Sequence, residues 1–158
     1  MILNDYMQGP ARAHTREETA IFLQDHYAPL IHSNTIPIFL IIPTYHKHTK
    51  GSDDLGTAQQ FTQSLYKGYH FYTKELNECI TKKARIVPVG KAYCKVFENN
   101  KLIWQKLFFE DDFHPSVCRT FLQGYVLHWA IFGVRPCSSA KWYQEWDRFM
   151  VKELLQSL

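Results

Sequence analysis

The stretch "IPIFLIIP", residues 36–43, decides the fold class that the sequence predicts. It is a continuous apolar run, rich in isoleucine and bounded by Pro37 and Pro43. A strand that is apolar on both sides of its pleat suits a parallel sheet with helices on both faces. We therefore predict a buried strand here, within an α/β fold.

Working outward from this strand, we find two shorter strand patterns, "MIL" at 1–3 and "ARIVPVG" at 84–90. Helical patterns lie between and after them. Strands that alternate with helices over short connections predict a parallel sheet with right-handed crossovers. Three strands are few for an open α/β sheet. We therefore expect one domain over residues 1–158 that lacks its first strand, helix and strand.

The first helical pattern, "TREETAIFLQDHYAPLIHS", starts with the spacing Thr15-x-x-Glu18, which is typical of a capping box. Pro29 is expected to kink or end this helix. Its apolar residues predict a broad helical stripe, which consists of Ile21, Phe22, Leu23, Tyr27, Leu30 and Ile31.

Four further helices are predicted along the rest of the chain. The first covers residues 55–83, with Gly56 and Gly68 as weak points. The second starts in "KAYCKVF" and ends near Asn99 and Asn100. The remaining two are an apolar helix that stops at Gly133 and an amphipathic helix that closes the chain.

Composition and charge limit the classes of function. A net charge of +3, without a basic stripe, argues against a nucleic-acid partner. The longest apolar run has eight residues, too few to span a membrane. No secretory leader opens the chain, so we expect a cytoplasmic protein if Met1 is the true start, and leave secretion open if a segment precedes it. The four cysteines form no CxxC pair, so we expect free thiols rather than zinc ligands, with two disulfides as the alternative in an exported protein.

The stretch "FFEDDFHPS", residues 108–116, holds three acidic residues next to a histidine. With the helix that follows, it resembles the C-terminal block of the SGNH (GDSL-type) hydrolases, in which Asp-x-x-His-Pro-Ser precedes a helix. "IVPVGKAYCKVFE" (86–98) is similar to a late strand of that family, and "MILNDYMQGPA" (1–11) is similar to its third block. The resemblance implies a three-layer α/β/α fold of the SGNH or flavodoxin-like kind.

The resemblance also implies roles for three residues. Asp111 matches the carboxylate of the family's triad, His114 matches its base, and Asn4 matches the amide that donates to the oxyanion. An aspartate three residues before a histidine can accept the imidazole Nδ1–H and stabilise the cation. Asp112 is the rival carboxylate. The alternative interpretation is an acidic, solvated loop whose histidine caps the next helix.

The nucleophile of the family is missing from the sequence, because no Gly-Asp-Ser occurs in it. Ser33 and Ser64 are expected in or at the ends of helices, and Ser52 in a polar loop. Ser116 is expected to be the N-cap of the next helix, with Pro115 as its lead-in. None of these serines is predicted at the tight strand-to-helix turn that exposes a nucleophilic oxygen.

The polar loop "TYHKHTKGSDD", residues 44–54, follows the central strand. Tyr45 and His46 are candidates for lining a substrate groove there. His46, His48, Asp53 and Asp54 could also be drawn as a metal site, but a solvated loop is the simpler interpretation, so we expect no metal.

Two functions follow. The chain is either part of a serine ester hydrolase that acts on acyl or acetyl esters of small molecules or glycans, or an inactive SGNH-like module that binds a ligand or a protein. The hydrolase needs no cofactor, and these residues alone are expected to be inactive without a serine. A sheet that lacks strands should also expose an apolar edge, which predicts self-association.

Overall fold

A computed structural model describes residues 1–3, 9–41, 55–108 and 116–136 of the 158-residue chain. These residues belong to two compact units. Residues 1–3, 9–41 and 55–88 form the sheet unit, and residues 89–108 and 116–136 form the helical unit. Over the described residues the protein is a helix-rich α/β structure with a small parallel sheet.

The sheet has three strands, β1 (Ile2–Leu3), β2 (Ile38–Leu40) and β3 (Arg85–Val87). They lie in the order β1-β2-β3, and both pairs are parallel. Leu3 pairs with Phe39, and Phe39 pairs with Ile86. The three predicted strands and their parallel arrangement are confirmed. Each is shorter than its apolar run, and β3 ends early because a helix already begins at Val89.

Two helices, α1 (Ala13–Phe22) and α2 (Ala58–Cys79), form most of the helical part of the sheet unit and pack against each other. The ring of Phe39 on β2 lies 5.8 Å from the ring of Tyr69 and 6.2 Å from that of Tyr72, both on α2. Burying these three rings removes several hundred Å² of apolar surface from water. They form the centre of the core of this unit.

The start of α1 differs from the prediction. The helix begins at Ala13, its N-cap is Arg12, and no side chain caps it. Thr15 lies inside the first turn, and its hydroxyl donates to the backbone carbonyls of Gly9 (2.7 Å) and Arg12 (3.1 Å). The capping box predicted at Thr15 and Glu18 was therefore wrong: the turn formed by Gly9–Ala11 starts the helix earlier than the motif suggested.

The end of this helical segment is irregular. A π-helical turn, Leu23–Tyr27, follows α1 and is followed by a 3₁₀ turn, Ala28–Leu30, which contains Pro29. The chain leaves the helical conformation at Ile31, so the stop predicted from Pro29 is confirmed. Within the apolar stripe of this segment, Leu23 is buried, whereas four members are exposed: Ile21, Phe22, Tyr27 and Leu30.

The start of α2 has a capping box that the sequence reading missed. The hydroxyl of Thr57 accepts from the backbone N–H of Gln60, and the Gln60 side chain accepts from the backbone N–H of Thr57. Gly56, predicted to be a weak point inside the helix, instead precedes it with φ of 72°. Gly68 does lie inside α2, where it faces the backbone of Pro10.

The helical unit contains α3 (Val89–Asn99), α4 (Lys101–Lys106) and α5 (Val117–Phe132). Asn100 ends α3 and caps α4, since its side chain accepts from the N–H of Ile103 at 3.1 Å. Gly133 ends α5 in the left-handed region with φ of 70°. The predicted helix ends near Asn99 and at Gly133 are confirmed.

Among the helices that the structure describes, none has the length and apolar character needed to cross a bilayer. The amphipathic helix predicted to close the chain lies outside the described residues.

Candidate functional site

The five residues that the sequence assigns to a site all lie outside the described residues. Asn4 is in the range 4–8, Tyr45 and His46 are in the range 42–54, and Asp111 and His114 are in the range 109–115. The described residues nevertheless show how each of these three segments is attached to the fold.

The first two segments leave the sheet at the carboxyl ends of neighbouring strands. Asn4 directly follows Leu3 on β1, and the segment with Tyr45 and His46 follows Ile41, next to β2. Because β1 and β2 are parallel neighbours, their carboxyl ends lie side by side. In α/β sheets, ligands bind beyond the carboxyl ends of the strands. The structure therefore brings together the attachment points of Asn4 and of the Tyr45–His46 segment.

The third segment, with Asp111 and His114, is held at its base by Ser116. The Ser116 N–H donates to the carbonyl of Leu107 at 3.3 Å, and its hydroxyl donates to the carbonyl of Lys106 at 2.6 Å. The two ends of the segment are thus joined by two hydrogen bonds. Only seven residues, 109–115, connect them.

Ser116 also starts α5. Its hydroxyl oxygen accepts from the backbone N–H of Arg119 at 3.2 Å, which confirms the predicted N-cap. One serine therefore caps a helix and closes the base of the segment that carries the candidate acid and base. Its hydroxyl takes part in both contacts, as the acceptor from Arg119 and as the donor to Lys106.

A buried arginine lies one turn into α5. Arg119 is 4% exposed, and its guanidinium carbon lies 5.4 Å from the ring centre of Phe108 and 5.8 Å from that of Tyr93. Cations at this distance from aromatic faces are attracted by the ring quadrupole. We call Arg119, Phe108 and Tyr93 the arginine cluster; it contains Phe108, the residue that immediately precedes the segment 109–115.

Tyr93 of the arginine cluster is held in its neutral form. Its hydroxyl donates to the backbone carbonyl of Arg119 at 3.3 Å. Burial raises the pKa of Tyr93 well above its ordinary value, and the positive charge of Arg119 only partly opposes this. The cluster therefore presents one positive charge and a protonated phenol at neutral pH.

The sequence reading did not single out Arg119. The available signal was an arginine in the apolar stripe of a helix, since the buried residues around it are Cys118, Phe121, Leu122 and Val126. An arginine at such a position is seldom buried without partners.

The described residues offer no metal centre, since no group of three or more His, Cys, Asp or Glu comes together in them. The proposed loop ligands His46, His48, Asp53 and Asp54 lie outside this part of the chain. Three cysteines within it, Cys79, Cys94 and Cys118, form no disulfide.

The described serines do not supply a nucleophile at a strand end. Ser33 lies in an exposed turn, Ser64 lies within α2, and Ser116 caps α5. Ser52, the serine predicted in the loop after β2, is outside the described residues.

A groove of ligand-binding size lies in each unit. The groove of the sheet unit has a volume of about 500 Å³ and lies between β1, β2, α1 and α2. Its lining is mostly apolar, with Glu18 and Thr19 as polar members. The groove of the helical unit has a volume of about 390 Å³ and runs along α5 from Val117 to His128.

Comparison with known proteins finds no matching family model, no matching curated protein and no matching solved structure. The SGNH resemblance therefore depends on the sequence motifs alone.

Proposed function

We propose that the chain is the C-terminal part of an SGNH-type serine ester hydrolase, with a three-layer fold. One observation carries the proposal: three parallel strands lie in consecutive order, β1-β2-β3. The flavodoxin-like sheet has the order 2-1-3-4-5, so its last three strands have this consecutive order. The sheet order thus agrees with the missing first strand, helix and strand that the sequence suggested.

In the proposed site, His114 takes the proton of a serine hydroxyl and later returns it to the leaving alcohol. Asp111 accepts the Nδ1–H of His114 and stabilises the imidazolium. The amide of Asn4 donates to the oxyanion of the tetrahedral intermediate. Tyr45 and His46 line the groove for the substrate, an acyl or acetyl ester of a small molecule or a glycan. No cofactor is required.

The closed base of the segment 109–115 supports this arrangement. Ser116 joins the two ends of the segment by its hydrogen bonds to Lys106 and Leu107, and Asp111 and His114 are three residues apart in the sequence between them. An acid and a base on a short closed loop lose less conformational entropy on pairing than residues on a long one.

The serine must come from outside these 158 residues, since no Gly-Asp-Ser occurs in them. A strand that carried this serine could join the sheet only beside an outer strand. Among the described strands, β1 is an outer strand, and Asn4 directly follows its last residue. We therefore expect the chain alone to hydrolyse no esters.

The first experiment tests the acid–base pair without a nucleophile. The imidazole of His114 is titrated by NMR in the wild type and in Asp111→Asn, with His114→Gln to assign its signal. A carboxylate partner stabilises the imidazolium, so the titration midpoint should move to lower pH in Asp111→Asn. Asp112→Asn is the matched control and should leave it unchanged. A shift in Asp112→Asn alone would assign the partner to Asp112, and no shift in either variant would contradict the proposed pair.

The second experiment measures hydrolysis of short-chain nitrophenyl esters and labelling by a fluorophosphonate. Neither is expected for the isolated chain. A product that also carries the Gly-Asp-Ser segment should show both, and His114→Ala should abolish hydrolysis. Hydrolysis by the isolated chain that His114→Ala does not affect would contradict the proposed mechanism.

A second candidate function is a binding module without catalysis. The groove of about 500 Å³ beside β1 favours it, because mostly apolar grooves of this size are typical binding sites.

A further inference from the structure

We propose that the groove along α5 is the docking surface for a later segment of the same chain, residues 139–158, which binds there as an amphipathic helix antiparallel to α5. The inference goes beyond the proposed ester hydrolysis and does not depend on Asp111, His114 or a serine. It concerns only α5 and the chain that follows it.

One stripe of α5 forms most of the groove. Its residues recur every three or four positions and are Val117, Thr120, Phe121, Gly124, Tyr125 and His128. Residues with this spacing lie on one side of a helix. Val117 is 59% exposed, and Gly124 is exposed as well. The buried residues Cys118, Leu122 and Val126 lie on a different side. Among the described residues, α5 therefore has a second, mostly apolar side in addition to its buried one.

The chain turns back over this groove after α5. Gly133 ends the helix in the left-handed region with φ of 70°. The Nδ1 atom of His128 then lies 3.2 Å from the carbonyl oxygen of Val134. Three residues after Gly133, Pro136 lines the groove together with His128. The chain that follows Pro136 therefore starts at the groove, near the carboxyl end of α5.

The sequence of the following segment suits a helix that binds in such a groove. Residues 139–158 lie outside the described residues, and their sequence predicts an amphipathic helix. The apolar side of this helix consists of Trp142, Trp146, Phe149, Met150 and Leu154. Helices that bind in grooves use apolar residues with this spacing of three and four positions. Most of the stability of such a helix comes from packing of its apolar side, so it needs a surface that covers that side.

The two stripes also match in length. From Val117 to His128 the groove extends about 17 Å along α5, at about 1.5 Å per residue. As a helix, the segment from Trp142 to Leu154 extends about 18 Å. A short connection makes two consecutive helices antiparallel neighbours. In that direction, Trp142 faces His128 at one end of the groove. At the other end, Leu154 faces Val117.

The first test measures amide hydrogen exchange by mass spectrometry in the 158-residue chain. Docking should protect residues 142–154 in the wild type. Gly124→Glu places a charge in the middle of the groove, and no heavy atom lies within 4 Å of the Cβ position there, so α5 should stay folded. Trp146→Glu places the same charge on the apolar side of the segment. Because a buried charge without a partner is costly, both variants should speed exchange of residues 142–154 by about tenfold or more.

Two variants are the matched controls. Gln144→Glu adds the charge on the opposite side of the predicted helix. Leu102→Glu adds it on α4, at a side chain that is 73% exposed. Both should keep the wild-type protection of residues 142–154. Circular dichroism and the exchange of α3 amides check that each variant is folded.

A cross-link tests the direction of the segment. Helix axes about 8–10 Å apart, with Cα atoms at a radius of about 2.3 Å, leave facing Cα atoms about 4–6 Å apart, which a disulfide can span. Val117→Cys with Leu154→Cys should therefore form a disulfide within one chain on oxidation, located by peptide mapping. Val117→Cys with Trp142→Cys should not, because these residues face each other only in a parallel pair. The background for both is Cys79→Ser with Cys137→Ser.

Three results would overturn the proposal. One is rapid exchange of residues 142–154 in the wild type. Another is protection that persists in Gly124→Glu, since the segment would then bind a different surface. The third is a disulfide that does not form between positions 117 and 154, or that joins two chains. None of these results affects the titration of His114, so the acid–base pair and the docked helix stand or fail separately.

Discussion

Gly68, in the middle of α2, lies directly against the backbone of Pro10. A Cβ atom at Gly68 would overlap the carbonyl group of Pro10 and stand 2.8 Å from its Cα. The 3₁₀ turn Gly9–Ala11 packs against α2. The absence of a side chain at Gly68 is what allows this turn, and with it the start of α1, to reach α2.

Gly68→Ala should therefore destabilise the protein, although alanine favours a helix. The backbone of Pro10 cannot rotate away as a side chain could, so we expect a loss of about 1–3 kcal/mol in the free energy of unfolding. Gly124→Ala on α5 is the matched control. No heavy atom lies within 4 Å of its Cβ position, so helix propensity should stabilise it by up to about 1 kcal/mol. Urea unfolding measures both; equal effects of the same sign would contradict the close approach.

Ser116→Ala should weaken both the helix and the base of the segment 109–115. It removes the acceptor for the Arg119 N–H and the donor to the Lys106 carbonyl. The loss of an N-cap costs about 0.5–2 kcal/mol. Ser116→Asp separates the two roles, since a carboxylate caps the helix but cannot donate to Lys106. Urea unfolding should place Ser116→Asp between the wild type and Ser116→Ala; a variant as unstable as Ser116→Ala would show that the cap contributes little.

We expect the free energy of unfolding to fall at alkaline pH because of Tyr93. Burial raises the pKa of Tyr93 above its ordinary value, so above about pH 10 the unfolded tyrosine loses its proton while the folded one keeps it. The folded state then binds more protons, and its stability declines as the pH rises, by at most about 1.4 kcal/mol per pH unit from this residue.

Tyr93→Phe tests this effect. Urea unfolding between about pH 8 and about pH 11 should show a flatter decline than in the wild type, with the other tyrosines as a common background. At neutral pH the variant should be less stable by about 0.5–1.5 kcal/mol, because the hydrogen bond to the Arg119 carbonyl is lost. Identical pH slopes in the two proteins would contradict the burial of this phenol.

The cysteines should react at different rates. Cys79 is exposed at the end of α2, whereas Cys118 is 6% exposed and burial raises its pKa. Because the thiolate is the nucleophile, iodoacetamide should label Cys79 in the folded protein and Cys118 only on unfolding. Peptide mapping by mass spectrometry separates the two. Labelling of Cys118 at the rate of Cys79 without denaturant would show that this part of α5 is open to solvent.

The sequence correctly predicted the features that depend only on residues close together in the chain. Ser116 caps α5, and Gly133 ends it in the left-handed conformation that glycine readily adopts. The apolar run around Phe39 gave the central strand of the parallel sheet. In each case neighbours in the chain are enough to determine the outcome.

The sequence failed where distant residues compete with a local pattern. Thr15 has the spacing of a capping box, but its hydroxyl bonds to Gly9 and Arg12, because the turn before it already starts the helix. Phe22 and Tyr27 belong to the apolar stripe of the first helical pattern, and the structure exposes both. A periodicity shows which side of a helix is apolar; it does not show whether anything covers that side.

The candidate site also has one part that the sequence could predict and one part that it could not. The motif around Asp111 and His114 could be found in the sequence because its residues are neighbours, and it stays a prediction here. The arginine cluster could not be found, because Arg119, Phe108 and Tyr93 come from different parts of the chain and meet only after packing.

The sequence by itself determined an α/β chain with three parallel strands, both ends of α5 and an acid–histidine motif, because hydrophobic period and capping act over a few residues. The tertiary structure alone decided that the strands stand in consecutive order, that Gly68 receives the backbone of Pro10, and that Arg119 is buried beside two rings. It also decided that β1 is an outer strand of the described three-stranded sheet. These features depend on contacts between residues far apart in the chain, whose free energy exists only once the whole unit has packed.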